Sequence, residues 1–544
     1  MTSLLTRATR RLRGLAARPV GPGHAPWRGS WTGWQIAALA GVAAVGAAIR
    51  MAGLLSTIGR LDADEAVTGI MAQRILHGDL YTYFAGQNYQ GALEQYLQAA
   101  VLGVVASTPT SLRIVEVALC TATCVLVGFV GRRVTGSAWG GVVAAAIYAA
   151  GPYYNVYKGI HSHGGYDTAQ LVGTAALLVA FRADRGQRPG RYAALALGVC
   201  VGLALWENSL ALLLVVPAVL WMIASARGSL GALAVPAFAG AVLGAAPALL
   251  YELHHGWLLP WQQGQGSSVG SASGKLHDLI DPVLGMFLGA ARPFSGARAV
   301  GWLPPLAIGI VALGLLVWAV LARWRGVRDL VSLRTRHRAP IDAVLVGFVL
   351  FGAVYGFSAY TSYTREPRYL YTLYPLLALA LAWGVWRIRG RGRGIAAALL
   401  VAVVLAATLT TMRTANALGE TTGHVGGIPI QTQGMPAVVA ALQRLGVHDL
   451  YANYWLAYPI AFAADGSVSV APTGGVVRFP SQARAVAAAT DPAYAAPVGA
   501  PADQLQAALA RSGARAERID IRSIAIFVHI TPARRPGQLT DAGL

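Results

Sequence analysis

The chain has 544 residues, 55% of them hydrophobic and only 12% charged, with a formal net charge of +20. Soluble domains carry roughly 25% charged residues, so the composition excludes an ordinary soluble globular protein and, with its repeated apolar runs, predicts a polytopic membrane protein. The excess of 43 Lys+Arg over 23 Asp+Glu invites a nucleic-acid reading. The placement of the arginines speaks against that partner, because most of them sit in alternate loops between apolar runs.

Residues 1–33 form a basic arm with Arg7, Arg10, Arg11, Arg13, Arg18 and Arg28 and no apolar core. No small-residue cleavage site follows the first apolar run, which therefore reads as an uncleaved span. A helix crossing ~30 Å of hydrocarbon needs ~20 residues. Runs near 34–55, 112–131, 137–153, 168–182, 192–206, 208–225, 230–251, 301–322, 341–360, 369–386 and 395–412 predict about eleven spans. Arg132 and Arg133, then Arg182, Arg185, Arg188 and Arg191, then Arg227, then 322–340 and "RIRGRGRG" (387–394) fall in alternate loops. The positive-inside rule makes those loops cytoplasmic, with the N-terminus inside and the C-terminus outside. Residues 93–107 are too short to cross, and counting them as a span would place the arginine-rich loops outside. They are expected to form an interfacial helix in the first outer loop. Cys120 and Cys124 share one helix face and, like Cys200, read as small packing residues.

Beyond Met412 no run has membrane length. "MPAVVAALQRLGV" and "ADQLQAALARSG" read as helices, and "DLYANYW", "SVSVAP" and "IRSIAIFVHI" as strands. The expected division is a basic cytoplasmic arm (1–33), a transmembrane domain (34–412) whose first outer loop is 59–111, and an extracytoplasmic α/β domain (413–544).

The first outer loop concentrates acid: "GRLDADEAVTGIMAQRILHGD" holds Asp62, Asp64, Glu65 and Asp79, with Glu94 beyond. Carboxylates suit a helix N-terminus, and they also offer general-base chemistry. Two other outer loops favour the second use. "GPYYNVYKGIHSHGGYD" (151–167) brings Lys158, His161, His163, Tyr166 and Asp167; "TSYTREPRYLYTLYP" (361–375) brings Arg365, Glu366, Arg368 and Tyr369. Arginine and lysine bind phosphate. Tyrosines serve either as interfacial belt or as sugar platforms. Glu207, near the outer ends of two spans, either lines a substrate path or occupies a short turn.

These stretches, "DADEAVTGIMAQRILHGDLY" with "NYQGALEQYLQAAV", "HSHGGYDTAQLVG" and "PRYLYTLYPLLALAL", resemble GT-C membrane glycosyltransferases of the protein O-mannosyltransferase and aminoarabinose transferase group. The resemblance covers roughly residues 30–412. It implies a polyprenyl-phosphate-linked sugar donor, transfer to an acceptor hydroxyl on the outer face, and a catalytic base at Asp64 with Glu65 beside it. Asp167 falls at the family's second-loop acidic position, although its neighbours differ from the family pattern. Arg368, Arg365, Lys158 and His163 are the donor-phosphate candidates. His161, Tyr166, Tyr89, Glu207 and Tyr369 are candidates to line the substrate. Direct displacement would invert the anomeric carbon. No metal is required, although a divalent ion between Asp64 and Glu65 is the cofactor alternative. The acceptor (protein, lipid or polysaccharide) and the sugar stay open, and high Ala, Gly and Arg suggest a bacterial plasma membrane. A transporter or lipid flippase of cell-envelope precursors is the rival function; it would call for discontinuous helices near mid-membrane and related halves.

Overall fold

Each of the apolar runs folds as helix. The computed structural model describes residues 30–182, 189–226, 229–256, 272–299, 305–357, 364–420 and 423–539. The arginines of the basic arm up to Arg28, with Arg185, Arg188 and Arg227, lie outside the described residues. The runs become Gly33–Leu54, Pro109–Thr135, Ala138–Ala150, Tyr166–Arg182, Arg191–Trp206, Leu212–Ser225, Leu230–His255, Pro305–Ala322, Pro340–Phe357, Tyr374–Trp386 and Gly392–Leu418. Among the described residues six helices are long and apolar enough to cross a bilayer, counting Tyr374–Trp386 with the 3-10 turn Arg368–Leu373 before it. Only 6% of the Pro305–Ala322 span, and 22% of Leu230–His255 and of Gly392–Leu418, is covered by protein. Helices apolar on all sides and so little covered are matched to lipid. The protein is a multi-pass membrane protein.

The chain divides into two units. The first comprises residues 30–49, 118–156 and 166–411 and holds most of the apolar helices. Without a hydrophobic drive between helices in lipid, close approach depends on small residues. Arg191–Trp206 and Leu230–His255 meet through two such pairs, Gly198 with Gly202 and Gly240 with Gly244. A Cβ on Gly198 would lie 2.0 Å from the Ala237 carbonyl oxygen, and one on Gly240 2.1 Å from that of Leu195.

The second unit comprises residues 50–117, 157–165 and 412–539. It joins the first loop to the C-terminal segment in one core. The Ala63–Leu76 helix is followed by a hairpin, β1 (Tyr83–Phe84) and β2 (Gln87–Gly91), turning at Gly86, whose φ of +74° favours glycine. The Leu93–Leu102 helix comes next; ten residues rise about 15 Å, half a bilayer core, so this element does not cross by itself. A short hairpin, β3 (His424–Val425) and β4 (Ile428–Pro429), opens the C-terminal segment. β5 (Asp449–Ala452), β6 (Ser469–Pro472), β7 (Ala493–Pro497), β8 (Arg515–Ile521) and β9 (Ile524–Thr531) form one sheet in the order β6-β5-β7-β9-β8, parallel across the first three and antiparallel across the rest.

Four differences from the sequence reading have local causes. "DLYANYW" is a strand only to Ala452, because the Asn453 side chain accepts from the Trp455 N–H and starts the Tyr454–Ala464 helix. "IRSIAIFVHI" is a turn and one strand, with Arg522 at φ +55°. β7 is alanine-rich and lacks a β-branched signal. The Leu93–Leu102 helix ends earlier than expected, at Gly103. Leu61, Val67, Ile70 and Met71 share a core with Leu456, Ile460 and Phe462. Gly69 marks the tightest point of that packing: a Cβ there would sit 2.4 Å from the Phe462 ring.

Candidate active site

Three carboxylates open the Ala63–Leu76 helix, and their surroundings assign them different tasks. Asp62 is the N-cap: its side chain accepts from the Glu65 N–H at 2.9 Å, and Glu65 accepts from the Asp62 N–H at 3.3 Å. This reciprocal box satisfies two orphan donors of the first turn. Glu65 is buried completely. Arg113 Nε donates to its Oε1 at 2.7 Å, Arg113 Nη2 pairs with its Oε2, and the Ser162 N–H donates to Oε1 at 2.9 Å. Arg113 also donates to the Gly59 carbonyl. Burial alone would raise the Glu65 carboxyl; the Arg113 charge and hydrogen bonds, together with the nearby His161, hold that group below the usual range. Asp62 is held down likewise, with burial opposed by His163, whose Nε2 lies 2.9 Å from Asp62 Oδ2.

Asp64 is different. Its side chain is 35% exposed, against 3% for Asp62 and 0% for Glu65. Tyr454 Oη donates to Asp64 Oδ1 at 2.5 Å, and Arg478 Nη2 lies 3.5 Å from the same oxygen. Arg478 is itself fixed. Its backbone N–H donates to Tyr458 Oη at 2.8 Å, Nε to Tyr454 Oη at 3.2 Å and Nη1 to the Ala85 carbonyl at 3.3 Å, and the guanidinium lies over the Phe84 ring. Burial would lower the Arg478 pKa; Tyr454 and Asp64 raise it instead, so its charge is secure.

Beneath the carboxylates runs a buried polar layer. Thr68 Oγ1 donates to Ser162 Oγ at 3.0 Å, Gln98 Nε2 donates to Glu116 Oε1 at 2.8 Å, and Gln90 donates to the Gly164 carbonyl. His161 and His163 stack with centroids 5.7 Å apart, and His161 Nδ1 lies 2.8 Å from the Tyr157 carbonyl oxygen. Burial first, with Arg113 and His163 adding, brings the His161 pKa down to about 4, so this imidazole is neutral at ordinary pH.

The first unit carries a second polar group. Asp167, in the first turn of Tyr166–Arg182, accepts from Tyr371 Oη at 2.5 Å and from Cys120 Sγ at 3.1 Å. Tyr148 Oη donates to Gln170 Oε1 at 2.5 Å, and Gln170 Nε2 donates to the Tyr371 carbonyl at 2.8 Å. Glu366 accepts from Tyr154 Oη at 2.6 Å and pairs with Arg368 Nη2 at 2.6 Å.

Residues 91–251 match the family model described as dolichyl-phosphate-mannose-protein mannosyltransferase. No curated protein matches the chain by sequence. Solved structures do match by fold. The crystal structure of ArnT from Cupriavidus metallidurans bound to undecaprenyl phosphate aligns with a TM-score of 0.60 at 10% identity, covering 92% of this chain and 98% of that one. The apo ArnT structure from the same organism aligns with a TM-score of 0.57 at 12% identity, covering 91% and 97%. The chain has the GT-C glycosyltransferase fold.

Within this GT-C fold the expected residues separate by unit. Asp64, Glu65, Lys158, His161, His163 and Tyr89 fall in the second; Asp167, Arg365, Arg368, Tyr166, Tyr369 and Glu207 fall in the first. Lys158 and Glu207 are buried, Arg365 and Tyr89 are exposed, and Tyr166 packs edge-on against Tyr371. Glu207 caps the C-terminal end of the Arg191–Trp206 helix. Both Glu65 oxygens are engaged by Arg113 and Ser162, which leaves it poorly fitted to share a divalent ion with Asp64. Cys120 packs as expected but also donates to Asp167. The sequence reading missed Arg113, Ser162, Tyr454 and Arg478. "YANYW" did hold Tyr454, but no local signal ties it to Asp64.

Proposed function

We propose that the chain is a membrane glycosyltransferase that moves a sugar from a polyprenyl-phosphate-linked donor to an acceptor hydroxyl, with Asp64 as general base. One observation carries the assignment of the base: of the three clustered carboxylates only Asp64 keeps an oxygen open to a substrate. The match to the mannosyltransferase model and the GT-C fold support the reaction class.

The acceptor hydroxyl oxygen attacks the anomeric carbon, and its proton passes to Asp64 Oδ2. The bond from the anomeric carbon to the phosphate oxygen breaks, and the electron pair leaves with the polyprenyl phosphate. Displacement from the opposite face inverts the anomeric carbon. Tyr454 and Arg478 hold and aim the Asp64 carboxylate. Glu65, tied to Arg113, fixes the helix that presents it, and Asp62 with His163 fixes the helix start. Arg365, Arg368, Lys158 and His163 are the proposed phosphate contacts. Asp167 is the second proposed acidic residue, and His161, Tyr166, Tyr89, Glu207 and Tyr369 the proposed lining. The scheme routes no step through a metal. We propose the extracytoplasmic face of a bacterial plasma membrane for this chemistry, a reading supported by about eleven apolar runs with the basic loops between alternate ones.

The test is release of polyprenyl phosphate from polyprenyl-phosphate sugars by the reconstituted chain. Asp64→Asn is expected to lower the rate by about 10²–10⁴-fold with an unchanged unfolding temperature. A wild-type rate from the folded variant refutes the assignment. Lipid movement across the bilayer without release, unaffected by the substitution, favours the flippase reading.

A further inference from the structure

The first unit contains a cavity of about 440 Å³ that the proposed chemistry does not use. Leu126, Phe129 and Leu178 line it together with Arg132, Arg133 and Arg182. Arg132 and Arg133 close the Pro109–Thr135 helix, and Arg182 closes Tyr166–Arg182. Trp31 completes the site: its ring stands edge-on to Phe129 with centroids 5.4 Å apart, and the Arg132 guanidinium lies over it at 5.7 Å.

Cations at helix C-termini have a general explanation in the helix dipole, worth about 0.3–1 kcal/mol each. That accounts for an arginine at each helix end. It does not account for three of them lining one largely apolar cavity. Arginines that share a lining with a greasy wall suit an anion that is itself greasy. A soluble polyanion would gain nothing from Leu126, Phe129 and Leu178. A phospholipid uses both parts, and basic pockets at the ends of membrane helices bind anionic headgroups.

We propose that this cavity binds an anionic phospholipid of the arginine-rich leaflet, its phosphate against Arg132 and Arg182 and an acyl chain along Leu126, Phe129 and Leu178. The ring of Trp31 covers the headgroup side. The site owes nothing to the sugar-transfer reading, so each stands or falls alone.

The test is native mass spectrometry of the delipidated full chain titrated with phosphatidylglycerol, phosphatidylcholine or inorganic phosphate. The wild type is expected to retain phosphatidylglycerol at least tenfold more tightly than phosphatidylcholine. The double variant Arg132→Gln, Arg182→Gln is expected to lose that preference, and Leu178→Trp, which fills the cavity and keeps the arginines, to lose it as well. Equal retention of both lipids by the wild type overturns the proposal. So does displacement of phosphatidylglycerol by millimolar inorganic phosphate, which would mark a soluble-anion site. If the double variant does not fold, Leu178→Trp decides, and a preference that survives the filled cavity overturns the lipid site.

Discussion

Replacing Glu65 with Gln separates the carboxylate that holds the site from the one proposed to work in it. Glu65 and Arg113 are 0% and 1% exposed. Removing one partner of a buried ion pair strands the other charge and costs about 3–5 kcal/mol. The second unit has about 200 described residues, and at that size each kcal/mol lowers the unfolding temperature by about 2–4 °C. Glu65→Gln should therefore melt about 6–20 °C below the wild type, followed by intrinsic fluorescence of the full chain in detergent. The double variant Glu65→Gln, Arg113→Met removes the stranded charge and should recover most of the loss. A single variant melting within about 2 °C of the wild type would refute the reasoning. A double variant as unstable as the single would move the cost from the stranded charge to the lost hydrogen bonds.

Tyr454→Phe keeps the ring but removes the hydroxyl from Asp64, so polyprenyl-phosphate release should fall about tenfold with little change in melting. His161 is held at about 4 against an ordinary 6.5, so unfolding takes up a proton between those values. Stability is then full above pH 6.5 and falls by about 3 kcal/mol on the way to pH 4; His161→Gln should flatten that slope in unfolding temperature measured against pH. Asp62 and Glu65 are held low, so their contribution persists above the ordinary carboxylate range and disappears only on further acidification. Gly202→Val places a side chain where a Cβ already lies 2.2 Å from the Ala241 carbonyl oxygen, and should abolish recovery of monodisperse protein in size-exclusion chromatography.

The helices were legible because lipid imposes one requirement on every span: a long apolar run. Asp64 was legible because acid is scarce in this chain and three carboxylates fall within four positions of one loop. Which of the three stays exposed was not legible. That depends on Arg113, 48 residues from Glu65, which in sequence looks like an ordinary cation at the start of a span. The histidine pair read as a phosphate contact and substrate lining; in the fold one histidine braces Asp62 and the other is neutral and stacked. Tyr454 was misread as strand because one Asn side chain converts "NYW" into a helix start. Such long-range pairings have no periodicity to betray them.

The hydrogen bond from Tyr454 to Asp64 joins residues 390 positions apart. At 5–20 residues per second, a ribosome needs about 20–80 s to travel that distance. During this interval the bilayer already holds the early helices, while Asp64 waits for a tyrosine and an arginine not yet made. A chain released early would be inserted yet unable to complete the surroundings of its own acid. The surroundings of Asp64 are thus completed only once the ribosome has passed Arg478.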